Sequence, residues 1–237
     1  MALKCGIVGL PNVGKSTLFN CLSNAKAQSA NFPFCTIEPN VGTITVPDER
    51  LNKLKELVSP EKVLPTTIEI VDIAGLVKGA HKGEGLGNQF LANIKEVDAI
   101  IHVLRCFEDD NVIHVDGKVD PISDKEIIDL ELQLKDLETI EKRVGALERK
   151  AKSGDKEASR NYEIYVKAKT HLESGHSIRS IELDKKDFLI LSELQLITAK
   201  PVMYVCNVDE SSVVNGNNFV NVLKDNIKNE SAEILIL

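Results

Sequence analysis

The chain reads Gly9-Leu10-Pro11-Asn12-Val13-Gly14-Lys15-Ser16-Thr17 directly after the apolar run from Leu3 to Val8. Leu18, Phe19 and Leu22 then recur at helical spacing. This is the order of a strand, a phosphate-binding loop and a helix, and the spacing matches the G-x-x-x-x-G-K-[ST] pattern. A Gly-rich turn that carries Lys-Ser by chance is the alternative, and the flanking strand and helix signals argue against it.

Each fixed residue of this loop has a predicted mechanical role. Gly9 and Gly14 allow a tight turn, so that backbone N–H groups and the start of the helix face a phosphate. We expect Lys15 to reach the β- and γ-phosphates, where its charge also serves catalysis, and the Ser16 hydroxyl to ligate Mg²⁺. The residues of the loop predicted to bind nucleotide are Asn12, Val13, Gly14, Lys15, Ser16 and Thr17.

A second motif, Asp72-Ile73-Ala74-Gly75, ends an apolar strand. We expect Asp72 to hold Mg²⁺ through water and the Gly75 N–H to approach a γ-phosphate. An Asp followed by Gly often just ends a strand, but here the motif comes one strand pair after a phosphate loop. Thr36 lies in the loop that precedes those two strands. It is expected to complete the Mg²⁺ coordination only when a triphosphate is bound.

Composition limits the classes of function. The chain has 237 residues with 43% hydrophobic content, typical of a globular protein with a real core. A net charge of −7 argues against a chain that coats nucleic acid, and we expect no sequence-specific DNA partner. No apolar run approaches the ~20 residues of a membrane span, so we expect no membrane partner and a cytoplasmic location. The five cysteines form no C-x-x-C framework and are expected to be buried thiols.

The pattern of strands and helices predicts a doubly wound α/β domain with the site at the carboxyl ends of the strands. The predicted strands after the first are Val41–Val46, Thr66–Val71, Ala99–Val103, Pro201–Cys206 and a buried Ile234–Leu237, with the first two of these paired. The predicted helices, besides the one after the loop, are Asp48 to about Val58, Asn88–Glu96, Asp184–Thr198 and Asn217–Asn229, with Arg105–Pro121 irregular. A chain that stops on a core strand is typical of a truncated domain.

The composition changes sharply at Ser123. Apolar residues then recur at three- and four-residue steps among Glu and Lys, with a break at Ser153-Gly154-Asp155. This predicts an αα-hairpin of two antiparallel helices of about 25 and 18 residues, able to pair as a coiled coil. We therefore divide the chain into a nucleotide-binding domain, residues 1–122 and 200–237, and an inserted helical domain, residues 123–199. The hairpin is either a solvated insert or an arm that contacts a partner.

The order of motifs is that of a GTPase-type switch with a mostly parallel, Ras-like G domain. The stretches from Asn31 to Gly42 and from Asp72 to Ala80 resemble the Obg-related class of P-loop NTPases. Asn207-Val208-Asp209-Glu210 and the helical insert before it resemble the YchF-type Obg-like ATPases. The resemblance covers the whole chain and implies ATP as the nucleotide and the ribosome or its large subunit as partner. Such proteins carry a C-terminal TGS domain, which we expect this chain to lack.

Base choice depends on Asn207, Val208 and Glu210, which complete the predicted nucleotide-binding set. Typical GTPases carry Asn-Lys-x-Asp here, with the Lys stem on the base and the Asp on the edge of guanine. Val208 stands at the Lys position and Glu210, one methylene longer, at the Asp position. This substitution loses a close fit to guanine. The resemblance implies ATP, and GTP stays open as the alternative.

Hydrolysis requires a group that orients water, and a Ras-like enzyme has Gln after the glycine of this motif. Here the residue is Leu76, which cannot polarise water, so the catalytic group lies elsewhere or turnover is slow. His81 and His114 are the candidates, and the resemblance favours His114. Asn12 resembles the Asn that binds a monovalent cation such as K⁺ in related NTPases.

Three functions remain open on the sequence. The first is an ATP-hydrolysing switch. A GTPase switch with relaxed base specificity is the alternative to it. The second is a nucleotide-gated interaction protein with negligible hydrolysis, which Leu76 favours. The third is a phosphotransferase acting on a small substrate, which is disfavoured because the sequence shows no second acceptor site.

Overall fold

A computed structural model describes residues 2–23, 40–73, 86–109, 111–112 and 117–237. The predicted site residues Thr36, Gly75 and His114 lie outside these ranges, as do Leu76 and His81.

Within the described ranges, six strands form one sheet. They are β1 (Leu3–Val8), β2 (Asn40–Thr45), β3 (Thr67–Asp72), β4 (Ala99–Cys106), β5 (Val202–Val208) and β6 (Glu233–Ile236). Their order across the sheet is β2-β3-β1-β4-β5-β6, and all neighbours are parallel except β2, which runs antiparallel to β3. The prediction of a doubly wound, mostly parallel sheet is confirmed, as is the pairing of the second and third strands.

Seven α-helices accompany this sheet in the described part of the chain. They are α1 (Lys15–Ser23), α2 (Glu49–Val58), α3 (Leu86–Lys95), α4 (Pro121–Lys152), α5 (Lys156–Glu173), α6 (Lys185–Ser192) and α7 (Asn218–Ile227). Phe19, Leu91, Ile128 and Leu223 bring α1, α3, α4 and α7 into the core around the sheet. None of the described helices is both long and apolar enough to cross a membrane.

The helical hairpin is confirmed, and its first helix is longer than predicted. α4 has 32 residues because its apolar periodicity extends to Pro121, with Asp120 accepting hydrogen bonds from the N–H groups of Ile122 and Ser123. At 1.5 Å per residue, such a helix is about 48 Å long. A second hydrophobic core, separate from that of the sheet, lies where α4 and α5 meet α6, around Ile140 and Tyr165.

Other predicted boundaries need correction. β4 and β5 continue to Cys106 and Val208, beyond the predicted ends, because both strands keep pairing with each other to those residues. The Asp184–Thr198 helix is wrong beyond Ser192, since Gln195 adopts a left-handed backbone conformation with φ 49°.

Two predictions of burial are also wrong. β6 is an edge strand, and Leu235 on it is 44% exposed. Cys21 is exposed, because it lies on the outer face of α1, whereas Cys5, Cys106 and Cys206 are buried as expected.

Candidate functional site

The predicted site residues within the described ranges gather at the carboxyl ends of neighbouring parallel strands. The phosphate loop follows β1, the strand at which the chain order of the sheet reverses. Asp72 ends β3 and pairs in register with Ile7 of β1, while Asn207 near the end of β5 pairs with Arg105 of β4. Ligands of open α/β sheets bind at such a switch point, which the sequence predicted for this chain.

Two glycines allow the loop to take its path. Gly9 has φ 151°, and a Cβ atom there would lie 2.5 Å from the carbonyl oxygen of Val103 on β4. Gly14 has φ 101°, and its added Cβ would lie 2.5 Å from the amide nitrogen of Asn207. Asn12 between them also has a positive φ, 63°. The loop therefore approaches β4 at Gly9 and Asn207 of β5 at Gly14 more closely than a side chain permits.

Lys15 is held inside the loop that precedes it. Its Nζ donates a hydrogen bond of 2.7 Å to the Leu10 carbonyl oxygen, and the residue is only 7% exposed. Burial lowers the pKa of Lys15 to about 8, and the nearby Asp72 carboxylate partly opposes this shift. The ammonium is thus positioned and poorly hydrated, so an incoming anion would gain a strong electrostatic interaction.

Ser16 and Asp72 lie together, as predicted for a magnesium site. The Ser16 hydroxyl donates a 2.9 Å hydrogen bond to Asp72 Oδ2, which leaves the lone pairs of the hydroxyl oxygen available for a cation. Burial raises the pKa of Asp72, while the Ser16 hydrogen bond and the Lys15 charge lower it. The described residues contain no group of three or more His, Cys, Asp or Glu side chains suited to a metal. The pair fits Mg²⁺, which usually keeps several waters and takes few protein ligands.

The residues predicted to face the base are partly built into the fold. The Asn207 side chain donates a 3.0 Å hydrogen bond to the Val13 carbonyl oxygen and so ties β5 to the phosphate loop. Val208 is only 8% exposed and belongs to the core of the sheet, whereas Glu210 begins an exposed 3₁₀ turn after the strand. The side chain at the usual lysine position is therefore a core residue.

The structure brings together only part of the predicted set. Lys15, Ser16 and Asp72 form one constellation, and Asn207 contacts the loop through Val13. Thr17 is exposed in the first turn of α1. Thr36, Gly75 and His114 lie outside the described residues.

Arg105 is a structural residue of this edge that the sequence reasoning missed. It is 2% exposed, and its guanidinium donates to the carbonyl oxygens of Phe107, Asp109 and Val112 while lying over the Phe107 ring. It thereby fixes the backbone that leaves β4. An arginine that follows a long apolar run was the available signal, since such a residue is buried only when its donors are satisfied.

The chain is similar in sequence and in fold to proteins of one family. A family model described as "50S ribosome-binding GTPase" matches residues 4–150. The ribosome-binding ATPase YchF of Bacillus subtilis (strain 168) is 54% identical over 239 residues, covering 100% of this chain and 65% of that protein. The protein of the same name from Escherichia coli O157:H7 is 54% identical over 215 residues, covering 91% of this chain and 59% of its own length.

A solved structure, that of the Schizosaccharomyces pombe YchF GTPase, has a TM-score of 0.81 and 38% identity. The match covers 99% of this chain and 65% of that one. The likeness confirms the P-loop NTPase fold with its inserted helices. The chain spans 59% to 65% of the length of these three relatives.

Proposed function

The chain belongs to the family of 50S ribosome-binding GTPases, and on that premise we propose that it is an ATP-binding and ATP-hydrolysing switch that associates with the ribosome, at its large subunit. The observation that carries the proposal is the constellation of Lys15, Ser16 and Asp72 at the end of the phosphate loop. It supplies one positioned cation and one hydroxyl–carboxylate pair, which suit a Mg²⁺-bound triphosphate. A ribosome partner also implies the cytoplasm.

In the proposed complex each residue has a separate task. Lys15 would bind the β- and γ-phosphates, Ser16 would ligate Mg²⁺, and Asp72 would hold the ion through the Ser16 hydroxyl and water. Mg²⁺ would neutralise charge that develops on the phosphates. Thr36 and Gly75 would complete the γ-phosphate contacts, as the sequence predicts.

The proposed preference is for ATP over GTP. Val208 is buried in the core, so no lysine stem extends over the base from this position. Glu210 is exposed on the 3₁₀ turn, one methylene longer than the aspartate that pairs with guanine. Because discrimination for guanine rests on such hydrogen bonds, their loss removes the advantage of GTP. GTP remains the alternative substrate.

Slow intrinsic hydrolysis is part of the proposal. Leu76 replaces the glutamine of Ras-like enzymes, and we assign the orientation of water to His114. The variant His114→Ala should keep its ATP affinity and lose turnover. An unchanged kcat would remove His114 from the mechanism.

A monovalent cation is proposed at Asn12, where it would supply positive charge near the phosphates. Turnover should then be faster in K⁺ than in Na⁺ at equal ionic strength. Equal rates in the two salts would count against this site.

We also propose the domain division made from the sequence, residues 1–122 and 200–237 for the nucleotide and residues 123–199 for the arm. The second core, around Ile140 and Tyr165, supports an insert with its own packing. Ile128 and Leu132 of the same helix pack against the sheet core, so the base of the arm is anchored in the nucleotide domain.

A single-turnover measurement with radiolabelled ATP, with and without large ribosomal subunits, tests the proposal. We expect slow hydrolysis by the free chain and a change in rate when subunits are added, with Lys15→Ala as the inactive control. Binding of ATP without any hydrolysis in either condition would instead favour the nucleotide-gated interaction protein that Leu76 keeps open. Transfer of phosphate to anything but water would indicate a phosphotransferase.

A further inference from the structure

The end of the helical hairpin has an unusual charge. The arm tip, residues 142–160, contains seven basic and three acidic residues and therefore carries a net charge of +4. The whole chain carries −7, so the remainder carries −11. A locally basic pole at the end of a helix about 48 Å long stands apart from an acidic body.

Four basic side chains of the tip are exposed, namely Arg143, Arg149, Lys150 and Lys156. Within the described residues, none of these four forms a salt bridge. The other three basic residues of the tip do: Lys142 pairs with Glu138, Lys152 with Glu148, and Arg160 with Asp187 of α6. The tip thus presents cations that the fold itself does not neutralise.

The acidic residues of the tip are largely occupied. Glu148 pairs with Lys152, and the Asp155 carboxylate accepts hydrogen bonds of 3.0 Å from the N–H groups of Glu157 and Ala158 at the start of α5. Their charge is therefore partly compensated within the arm. A polyanion that approaches the tip meets little opposing negative charge.

The three exposed cations of α4 do not form a single row. Arg143 and Lys150 are seven residues apart, about two turns, and therefore lie nearly in line along the helix. Val144 and Leu147 pack against the second core. Arg149 lies on the side of the helix away from these two apolar residues, whereas Arg143 and Lys150 lie beside them. The cations thus cover the exposed surface of the helix end rather than one narrow face.

Stability of the helices explains only part of this pattern. Arg149 and Lys150 lie in the last turn of α4, where positive charge interacts favourably with the helix dipole. Lys156 is the first residue of α5, where the dipole disfavours positive charge, and Arg143 is more than two turns from the end of α4. A partner of opposite charge accounts for all four positions.

We propose that the arm tip binds the phosphate backbone of RNA, in keeping with the proposed ribosome association on which this inference rests. A rigid arm carries the tip away from an acidic body that would repel RNA. Ser153 and Gly154 form the turn, and nothing lies within 4 Å of a Cβ added at Gly154. The turn is thus small and open, so the flanking long basic side chains reach past it.

Charge-neutralising variants test the inference against deproteinised large-subunit ribosomal RNA. One variant carries Arg149→Gln with Lys150→Gln, and a charge-keeping variant exchanges the same two residues as Arg149→Lys with Lys150→Arg. The matched control is Lys53→Gln with Lys55→Gln, which removes the same charge from two exposed positions of α2. ATP affinity and helical circular dichroism establish that each variant is folded.

At about 0.1 M salt the first variant should bind RNA about tenfold more weakly than the wild type, and its plot of log affinity against log salt should be shallower by about 1.4 to 1.8. The charge-keeping variant and the α2 control should stay within about twofold of the wild type. Equal loss in the tip and α2 variants, or no RNA binding by the wild type even at about 50 mM salt, would overturn the inference.

Intact large subunits separate this inference from the proposed function. Suppose that the chain hydrolyses ATP and binds subunits, and that the tip variant binds RNA and subunits as tightly as the wild type. This result would refute RNA binding by the tip and would leave the proposed switch function supported. If RNA binds through the tip but intact subunits do not bind the chain, the ribosome is refuted as the partner and RNA binding by the tip is supported.

Discussion

The pH dependence of ATP binding should report the state of Lys15. Burial lowers the pKa of this lysine to about 8 in the nucleotide-free protein, so a substantial fraction loses its proton above that pH. A bound triphosphate would place several negative charges beside the ammonium and raise its pKa. Binding is then coupled to proton uptake, and affinity should fall as the pH rises through 8.

The size of this effect follows from linkage. If the bound lysine stays protonated, the apparent dissociation constant is multiplied by one plus ten to the power of the pH minus the free pKa. With a free pKa of about 8, the factor is about 1.1 at pH 7 and about 11 at pH 9. Affinity should therefore fall about tenfold between these values, or about 1.4 kcal/mol.

Isothermal titration calorimetry in two buffers of different ionisation enthalpy measures both the affinity and the protons taken up. We expect uptake of about 0.1 proton at pH 7 and about 0.9 at pH 9. With a second phosphate pKa near 6, the nucleotide is about nine-tenths ionised at pH 7 and fully ionised at pH 9, so the proton uptake at pH 9 is the deciding value. Lys15→Arg is the control, since its guanidinium stays charged and should bind without proton uptake.

Proton uptake near zero at pH 9 in the wild type would refute the assignment of the titrating group to Lys15. The same uptake and the same loss of affinity in Lys15→Arg would also refute it, because the titrating group would then lie elsewhere. A plain loss of binding in Lys15→Arg would leave the wild-type proton count as the deciding result.

Three further substitutions have outcomes that the structure fixes. Gly14→Ala places a methyl against the Asn207 amide at a positive φ and should weaken ATP binding about tenfold or more by calorimetry; unchanged affinity would show that the loop relaxes. The pKa of His102 is lowered to about 3 by burial and the charges around it, so stability falls as the pH drops from 6.5 toward 3. His102→Leu should reduce the loss between pH 7 and pH 5 by about 2 kcal/mol in urea unfolding, and an equal loss would refute the assignment. Asp136→Ala leaves the N–H groups of Ile197 and Thr198 and the Thr198 hydroxyl without their acceptor and, at about 1 kcal/mol or more for each buried donor, should cost about 3 to 5 kcal/mol at pH 7; a cost below about 1 kcal/mol would contradict this.

The sheet and the phosphate loop were predictable because local signals and tertiary structure agree there. The apolar run of β1, the spacing from Gly9 to Ser16 and the apolar run of β4 each specify one arrangement, and the structure has it. The position of Asp72 beside Ser16 follows from the parallel pairing of β1 with β3, so it too could be inferred before the contact was known.

The remaining differences arise from contacts that are distant in sequence. The helix predicted to reach Thr198 stops at Ser192, and the N–H groups of Ile197 and Thr198 donate instead to Asp136 on α4. Periodicity alone cannot anticipate a carboxylate supplied from 61 residues away. Arg105 is similar, because its three carbonyl partners exist only once the backbone after β4 has folded over it.

The identity of the base is most directly tested by measuring ATP and GTP affinities side by side by calorimetry at pH 7 with Mg²⁺. With Val208 buried in the core and Glu210 exposed, the proposed preference predicts that ATP binds more tightly than GTP. Tenfold tighter binding of GTP, a difference of about 1.4 kcal/mol, would contradict the proposed ATP-dependent switch.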